Sequence, residues 1–176
     1  MKTLFLIRHA QSDWGDPMTP DQQRPLNASG MRDAPRMGCM MKERNWRAGR
    51  WLCSTALRAQ QTAAFMCNEL DYPERDIYFS DALYLAEPQA ILNQLARMDK
   101  NLDSLAVVAH NPGISELATQ MGLPSFGGVP AGAVMVFTLD IDHWFKLIEG
   151  HFTAEAIGYE TPERVAASPP KVTRKK

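Results

Sequence analysis

The chain has 176 residues, of which 45% are hydrophobic, 22% charged and 9% aromatic, and its formal net charge is -1. This composition predicts one folded domain and excludes a collagen-like, disulfide-stapled or mostly disordered chain. A nearly neutral chain also lacks the broad positive field of general nucleic-acid binders, so we expect no nucleic-acid partner.

Short apolar runs alternate with amphipathic stretches along the chain, which is typical of strands and helices that alternate around a largely parallel sheet. Strands are predicted over 3–8, 50–54, 105–110, 133–140 and 144–149, with a short one near 77–79. Helices are predicted over about 30–44, 59–70, 88–98 and 114–121. Residues 122–132 are rich in glycine and proline and should form a loop. The expected fold class is therefore α/β.

The predicted domain covers residues 1–159, and residues 160–176 are expected to form a basic, disordered tail. Proline interrupts regular structure there and few large apolar residues remain to be buried. No apolar run is long enough for a signal peptide or a bilayer span, so we expect no membrane association. The three cysteines are odd in number and lack CxxC spacing, which favours reduced thiols and a cytoplasmic location.

Two histidines directly follow predicted strands. Arg8 and His9 end the first apolar run, and His110 ends the run at 105–110. A third strand ends at Ser54, and the next helix carries Arg58 in its first turn. The carboxyl ends of parallel strands share one edge of the sheet, where ligands bind in open α/β folds. We therefore expect these two imidazoles and two guanidinium groups to line one pocket.

This set of side chains is suited to a phosphoryl group. Guanidinium groups present planar donors that match phosphoryl oxygens, and their charge favours a neutral, nucleophilic imidazole. The residues predict covalent phosphoryl transfer, in which one histidine attacks phosphorus while the other groups neutralise charge. Either histidine can be the nucleophile on this reasoning. A non-catalytic phosphate-recognition module and a purely structural role at the sheet edge remain as alternatives.

Two further residues, Arg24 and Ser12, are candidates for substrate binding.

The sequence contains no HExxH motif, no P-loop and no carboxylate-rich loop. Those patterns are typical of zinc proteases, nucleotide triphosphatases and magnesium phosphatases, so we expect no metal site.

The same segments resemble the histidine phosphatase superfamily, whose fold is phosphoglycerate mutase-like. Leu6-Ile7-Arg8-His9-Ala10 is similar to the R-H-G element that carries the phosphorylated histidine of that family. Three further segments follow in the family's order: Arg24-Pro25-Leu26-Asn27, the stretch from Ser54 to Thr62, and the stretch from Val108 to Gly113. The likeness is strongest to its small SixA-type phosphohistidine phosphatases.

The resemblance implies a three-layer α/β/α sandwich with a mostly parallel central sheet, and no cofactor. It also implies that His9 is the nucleophile, that Arg8 and Arg58 bind phosphate, and that His110 is the second histidine of the pocket. The implied partner is a phosphohistidine-bearing protein or a small phosphorylated metabolite.

The proton donor is less well matched. Phosphomonoester-cleaving relatives use an acidic residue in the region where this chain carries Asp81 and Glu87, and we take Glu87 as the candidate. The absence of a strong acid favours a phosphoramidate, because a protonated imidazole leaves as a neutral ring. No long insertion forms a lid, so the pocket should be open. We therefore expect a metal-independent phosphohistidine phosphatase, with a small-molecule phosphomonoester phosphatase as the alternative.

Overall fold

Strands and helices alternate along the chain, as the sequence predicts. The structure, a computed structural model, describes residues 1–123 and 127–168. Its strands are β1 (Lys2–Arg8), β2 (Arg50–Ser54), β3 (Tyr78–Ser80), β4 (Ser104–Ala109), β5 (Val134–Leu139) and β6 (Ala154–Glu160). Its α-helices are α1 (Ala28–Glu43), α2 (Leu57–Glu69), α3 (Pro88–Ala96), α4 (Gly113–Gln120), α5 (Lys146–Glu149) and α6 (Pro162–Ala167).

The strands form one mixed sheet in the order β3-β2-β4-β1-β5-β6. The first four strands are parallel, whereas β5 and β6 pair antiparallel at one side. In the pairing of β1 with β4, Arg8 lies opposite Ala109. The residues that directly follow these two strands, His9 and His110, therefore lie side by side at the carboxyl edge of the sheet.

Helices cover both faces of the sheet. Side chains of a strand alternate between faces, so Leu4 and Leu6 of β1 join one core while Phe5 and Ile7 join the other. Residues of α3, α4 and α5 pack in the first core, and residues of α1 and α2 in the second. This is the expected three-layer α/β/α arrangement, and burial on both faces explains why β1 and β4 contain continuous apolar runs.

The connections open a crevice between β1 and β4. The helix that follows β1 packs on one face of the sheet, and the helix that follows β4 packs on the other. Adjacent strands whose helices diverge in this way mark the ligand-binding switch point of open α/β sheets.

Glycine allows the two diverging helices to begin close to neighbouring loops. The side chain of Asn27 caps α1 by accepting a hydrogen bond from the Gly30 amide at 2.8 Å. A Cβ atom on Gly30 would lie 2.2 Å from the carbonyl oxygen of Gln11, and one on Gly113 would lie 1.9 Å from that of Ala86. Both loops border the crevice, so these close approaches help to position it.

The predicted strand at 144–149 is wrong. Residues Lys146–Glu149 form α5, and Trp144 and Leu147 are buried three positions apart, which is helical spacing. The last strand of the sheet is instead β6, at Ala154–Glu160. A short apolar run fits both periods, and burial of the large Trp144 ring favours the helical turn here.

The chain remains ordered beyond the predicted domain end at residue 159. Helix α6 packs near α1, the Thr161 hydroxyl accepts a hydrogen bond from the Arg164 amide at 3.3 Å, and Glu160 forms an ion pair with Arg44. Pro162 opens the helix, where its missing N–H costs no intrahelical bond. Disorder from residue 160 is therefore a wrong prediction for residues 160–168; residues 169–176, like residues 124–126 of the predicted loop, lie outside the described residues.

Across the described ranges, no helix combines the length and apolar character needed to cross a membrane.

Candidate active site

The structure brings together the two histidines and Arg58. The ring centroids of His9 and His110 are 5.1 Å apart, with the ring planes tilted by 58°. The Arg58 guanidinium lies against both rings, with Nε 3.3 Å from His9 Nε2 and Nη2 3.4 Å from His110 Nδ1. All three residues are buried. The β1–β4 register and the first turn of α2 produce this convergence, as the strand ends predict.

A cavity of about 480 Å³ opens at this point. Its lining includes every sequence-predicted residue except one: Arg8, His9, Ser12, Arg24, Arg58 and His110. The exception is Glu87, which is exposed, precedes α3 and does not line the cavity. The structure therefore gives no support to Glu87 as the proton donor.

His9 lines the cavity, and its unprotonated ring nitrogen accepts a hydrogen bond from Arg58. Its Nδ1 lies 2.7 Å from the carbonyl oxygen of Ala10. A carbonyl oxygen only accepts hydrogen bonds, so Nδ1 carries the proton of the neutral ring and Nε2 carries the lone pair. Burial is the main cause that lowers the pKa of His9 to about 4, and the charges of nearby arginines lower it further. The ring is consequently neutral at neutral pH.

His110 is held in the complementary tautomer. Its Nδ1 faces the donating Nη2 of Arg58, so Nδ1 is the acceptor and the proton lies on Nε2. That Nε2 lies 2.7 Å from the Ser54 hydroxyl oxygen, which also accepts a hydrogen bond from the Ala56 amide at 3.2 Å. Burial, and then the proximity of His9, lower the pKa of His110 to about 3. Both imidazoles are thus oriented by hydrogen bonds and uncharged.

Asp21 anchors the arginines and was missed by the sequence analysis. Its Oδ2 accepts hydrogen bonds from Arg58 Nη2 at 3.0 Å and from the Tyr84 hydroxyl at 2.6 Å. Its Oδ1 accepts one from Arg24 Nε at 2.9 Å, and its carbonyl oxygen accepts one from Arg58 Nη1 at 2.7 Å. The spacing of Asp21 and Arg24, three residues apart, is the signal that a reader of the sequence could have used.

The Asp21 carboxyl is ionised. Partial burial opposes ionisation, but the hydrogen bond from Tyr84 and the charge of Arg58 lower the pKa of Asp21 to about 2. Tyr84 was also missed; its ring meets the His110 ring edge-on, with the centroids 5.7 Å apart. Asp21 and Tyr84 therefore act as supports of Arg58 and His110.

Arg8 approaches the cavity from the end of β1. Its Nη1 donates to the Val129 carbonyl oxygen at 2.6 Å. Its Nε is buried and has no hydrogen-bond partner in the part of the chain that the structure describes. Buried donors are normally satisfied, so an unpaired guanidinium N–H beside a cavity is typical of a site whose ligand supplies an acceptor. A phosphoryl oxygen is such an acceptor.

The remaining predicted residues lie nearer to solvent. The Arg24 guanidinium lies 4.2 Å from the ring centroid of Trp14, and its Nη1 is 3.5 Å from the Ser12 hydroxyl. Trp14 lines the cavity although 72% of its surface is exposed. Arg24, Ser12 and Trp14 thus form part of the cavity mouth.

The cavity carries an excess of positive charge. Three arginines line it, one carboxylate offsets part of their charge, and both histidines are neutral. Within residues 1–123 and 127–168, no group of three His, Cys, Asp or Glu side chains is placed to hold a metal ion. The arrangement is suited to bind a dianionic oxyanion beside the lone pair of His9.

Comparison with known proteins agrees with this geometry. The family described as histidine phosphatase superfamily (branch 1) matches residues 4–83. A protein of Mycobacterium tuberculosis that is itself uncharacterised is 35% identical over 125 residues, which cover 71% of this chain and 74% of that protein.

Two solved structures share the fold. One, from Nakamurella multipartitia, has a TM-score of 0.72 and 26% identity over 92% of this chain and 96% of its own. The other, from Agrobacterium tumefaciens, has a TM-score of 0.77 and 23% identity over 92% and 98% of the two chains. Both are described as proposed SixA phosphohistidine phosphatases.

Proposed function

The chain belongs to the histidine phosphatase superfamily and is a phosphatase of that superfamily, and from this premise we propose that it is a metal-independent protein phosphohistidine phosphatase acting through phospho-His9. The observation that carries the proposal is the lone pair of His9 Nε2. That lone pair accepts a hydrogen bond from Arg58 Nε at 3.3 Å on the lining of the cavity, while Nδ1 is held by the Ala10 carbonyl oxygen.

The first step is an in-line displacement at phosphorus. The lone pair of His9 Nε2 forms a new N–P bond while the P–N bond to the substrate imidazole breaks. The leaving ring keeps the electron pair of that bond and takes a proton from solvent, so that it departs as neutral imidazole. In the second step, water attacks the phosphorus of phospho-His9, inorganic phosphate is released, and Nε2 recovers its lone pair.

The arginines supply the electrostatic stabilisation. Arg58 and Arg8 donate to the equatorial phosphoryl oxygens, where negative charge is concentrated, and His110 lies on the same side of the cavity. A hydrogen bond to a charged group contributes about 1.5–3 kcal/mol, so two such contacts supply a substantial part of the stabilisation. Asp21 keeps the Arg58 fork in place before substrate arrives, which reduces the reorganisation needed on binding.

The carboxylates of the site favour a phosphoramidate substrate over a phosphomonoester. An alkoxide leaving group requires a proton donor, and Asp21 is an ionised acceptor that already binds three donors. Glu87 lies outside the cavity. An imidazole leaving group avoids the need for a dedicated acid. The relatives assigned as phosphohistidine phosphatases support the same substrate class.

A labelling experiment tests the proposal. The protein is mixed with a protein carrying [³²P]phosphohistidine, quenched in alkali within milliseconds, and examined for acid-labile, alkali-stable label on residue 9. We expect label on the wild type and on His151→Asn, which alters an exposed histidine, and none on His9→Asn. Turnover without label contradicts the covalent route. Vanadate binding without turnover of any phosphorylated substrate supports a recognition module instead, and faster turnover of sugar or nucleotide phosphates supports the small-molecule alternative.

A further inference from the structure

Two large apolar side chains stand exposed on the lining of the active-site cavity. Trp14 is 72% exposed and Leu85 is 53% exposed, and both line the cavity that contains His9. Exposed apolar groups at the mouth of a polar pocket are typical of a surface that contacts a ligand. These two residues, here called the apolar rim, have no role in the phosphoryl chemistry described above.

The backbone of Leu85 has a conformation that leucine rarely adopts. Its φ is +49°, in the left-handed region that a bulky residue rarely adopts. The other non-glycine residues with positive φ among the described residues are Asn45 and Asp71, types that tolerate this region. Strained residues that persist in a fold concentrate at ligand-binding sites.

The neighbours of Leu85 explain how this conformation is maintained. Tyr84 is bound through its hydroxyl to Asp21, and the carbonyl oxygen of Ala86 packs against Gly113. Because the chain is fixed on both sides, the residue between them projects to the cavity mouth. The contact of Tyr84 with Asp21, which supports Arg58, therefore also helps to place the Leu85 side chain.

Trp14 is fixed by a different interaction. The guanidinium of Arg24 lies 4.2 Å from its ring centroid, and Arg24 is itself bound to Asp21 at 2.9 Å. A cation over the ring face holds the ring beside the mouth, even though most of its surface meets solvent. Both parts of the apolar rim are thus connected through one neighbour to Asp21.

In-line transfer places the leaving group at the apolar rim. The nucleophile and the leaving group lie on opposite sides of phosphorus, and His9 is at the buried end of the cavity. The leaving group must then face the exposed end, where Trp14 and Leu85 stand. A flat imidazole ring has apolar faces that pack against an indole ring or a leucine side chain.

A second cavity argues that the leaving group belongs to a polypeptide. A groove of about 260 Å³ shares Trp14 and Arg24 with the active-site cavity and continues along Pro25 and Leu26. Residues next to a phosphorylated side chain would lie along this groove, whereas a small metabolite would leave it unused.

We infer that Trp14 and Leu85 are specificity residues that pack against the imidazole ring of a phosphohistidine presented by a polypeptide. This inference rests on the proposed function, which it deepens. The rim recognises the leaving group and leaves the phosphoryl group to the arginines and histidines.

The test compares two substrates that share a P–N bond. Phosphoramidate releases ammonia and offers no ring, whereas a phosphohistidine peptide releases an imidazole. The measured quantity is kcat/KM for the peptide divided by kcat/KM for phosphoramidate. We expect this ratio to fall about threefold to tenfold in Trp14→Ala, the size of an aromatic packing contribution. The control Phe145→Ala removes an exposed aromatic ring that does not line the cavity, and its ratio should equal that of the wild type.

Leu85→Gly gives a second, independent readout. Glycine adopts positive φ freely, so this variant should have a higher Tm than the wild type while its substrate ratio falls. If the wild type hydrolyses the peptide and both Trp14→Ala and Leu85→Gly keep the wild-type ratio of the two kcat/KM values, the inference is overturned and the proposed function stands. A wild type that hydrolyses phosphoramidate but not the peptide overturns both.

Discussion

Two buried neutral imidazoles should make the folded protein lose stability in mild acid. The pKa of His9 is lowered to about 4 and that of His110 to about 3, from an ordinary value of 6.5. Below pH 6.5 the unfolded chain binds protons at these two positions while the folded chain does not. Their effect on stability is therefore absent well above pH 6.5, and it grows more unfavourable as the pH falls toward the folded-state pKa values.

The expected loss follows from this difference. At pH 5 both rings are still neutral in the folded protein, whereas the histidine pKa in the unfolded chain lies about 1.5 units above that pH. Each unit corresponds to about 1.4 kcal/mol, so each histidine lowers the free energy of unfolding by about 2 kcal/mol, and the pair by about 4 kcal/mol, between pH 8 and pH 5. That is a large share of the typical stability of a domain, about 5–15 kcal/mol.

Urea unfolding at pH 8 and at pH 5 measures this loss. We expect His9→Asn and His110→Asn each to lose about 2 kcal/mol less than the wild type over this interval, because each lacks one of the two acid-sensitive groups. The variant His151→Asn, altered at an exposed position, controls for the removal of a histidine as such. Equal losses in the wild type and in both active-site variants would refute the reasoning.

Three further outcomes follow from the structure. In Arg58→Lys, a single ammonium group replaces the guanidinium fork that reaches His9 and Asp21, so kcat/KM for a phosphohistidine substrate should fall about 10²- to 10³-fold, as for loss of one oxyanion donor. Steady-state kinetics check this, provided that the Tm of the variant matches that of the wild type. Activity within threefold of the wild type contradicts the prediction. Gly113→Ala places a methyl group against the Ala86 carbonyl oxygen and should lower the free energy of unfolding by about 3 kcal/mol, measured by urea titration; a neutral result means that the two backbones separate easily. Nitrogen NMR of the imidazoles at pH 7 should show His9 as the neutral ring protonated at Nδ1, and a spectrum with the proton on Nε2 would remove the basis for attack by that atom.

Local patterns in the sequence were sufficient for most of the architecture. The apolar runs of β1 and β4 predict buried parallel strands, since both of their faces are covered by helices. The helix predicted over about 30–44 is α1, which begins at Ala28 because the Asn27 side chain supplies an acceptor where the helix amides begin. The strand ends also predict the meeting of His9, His110 and Arg58, because parallel strands terminate at one edge.

Local patterns failed where two periods or two environments compete. The run around Trp144 fits a strand as well as a helical turn, and its packing decides for the turn. Glu87 fits a catalytic acid as well as an exposed residue before a helix, and its position outside the cavity favours the second. Pro162 fits a disordered tail as well as a helix start, and burial of Pro162 at the first turn of α6 decides for the helix.

The amino-acid sequence by itself determined the order of strands and helices from β1 to β5 and the edge at which the histidines emerge, because both depend on spacing between neighbours along the chain. Only the tertiary structure decided how those histidines are tuned. The bonds from Asp21 to Arg58 and Tyr84 join residues 37 and 63 positions apart, and the contact of Ser54 with His110 spans 56 positions. Contacts over such separations leave no periodic trace in the sequence, and they exist only after both cores have packed.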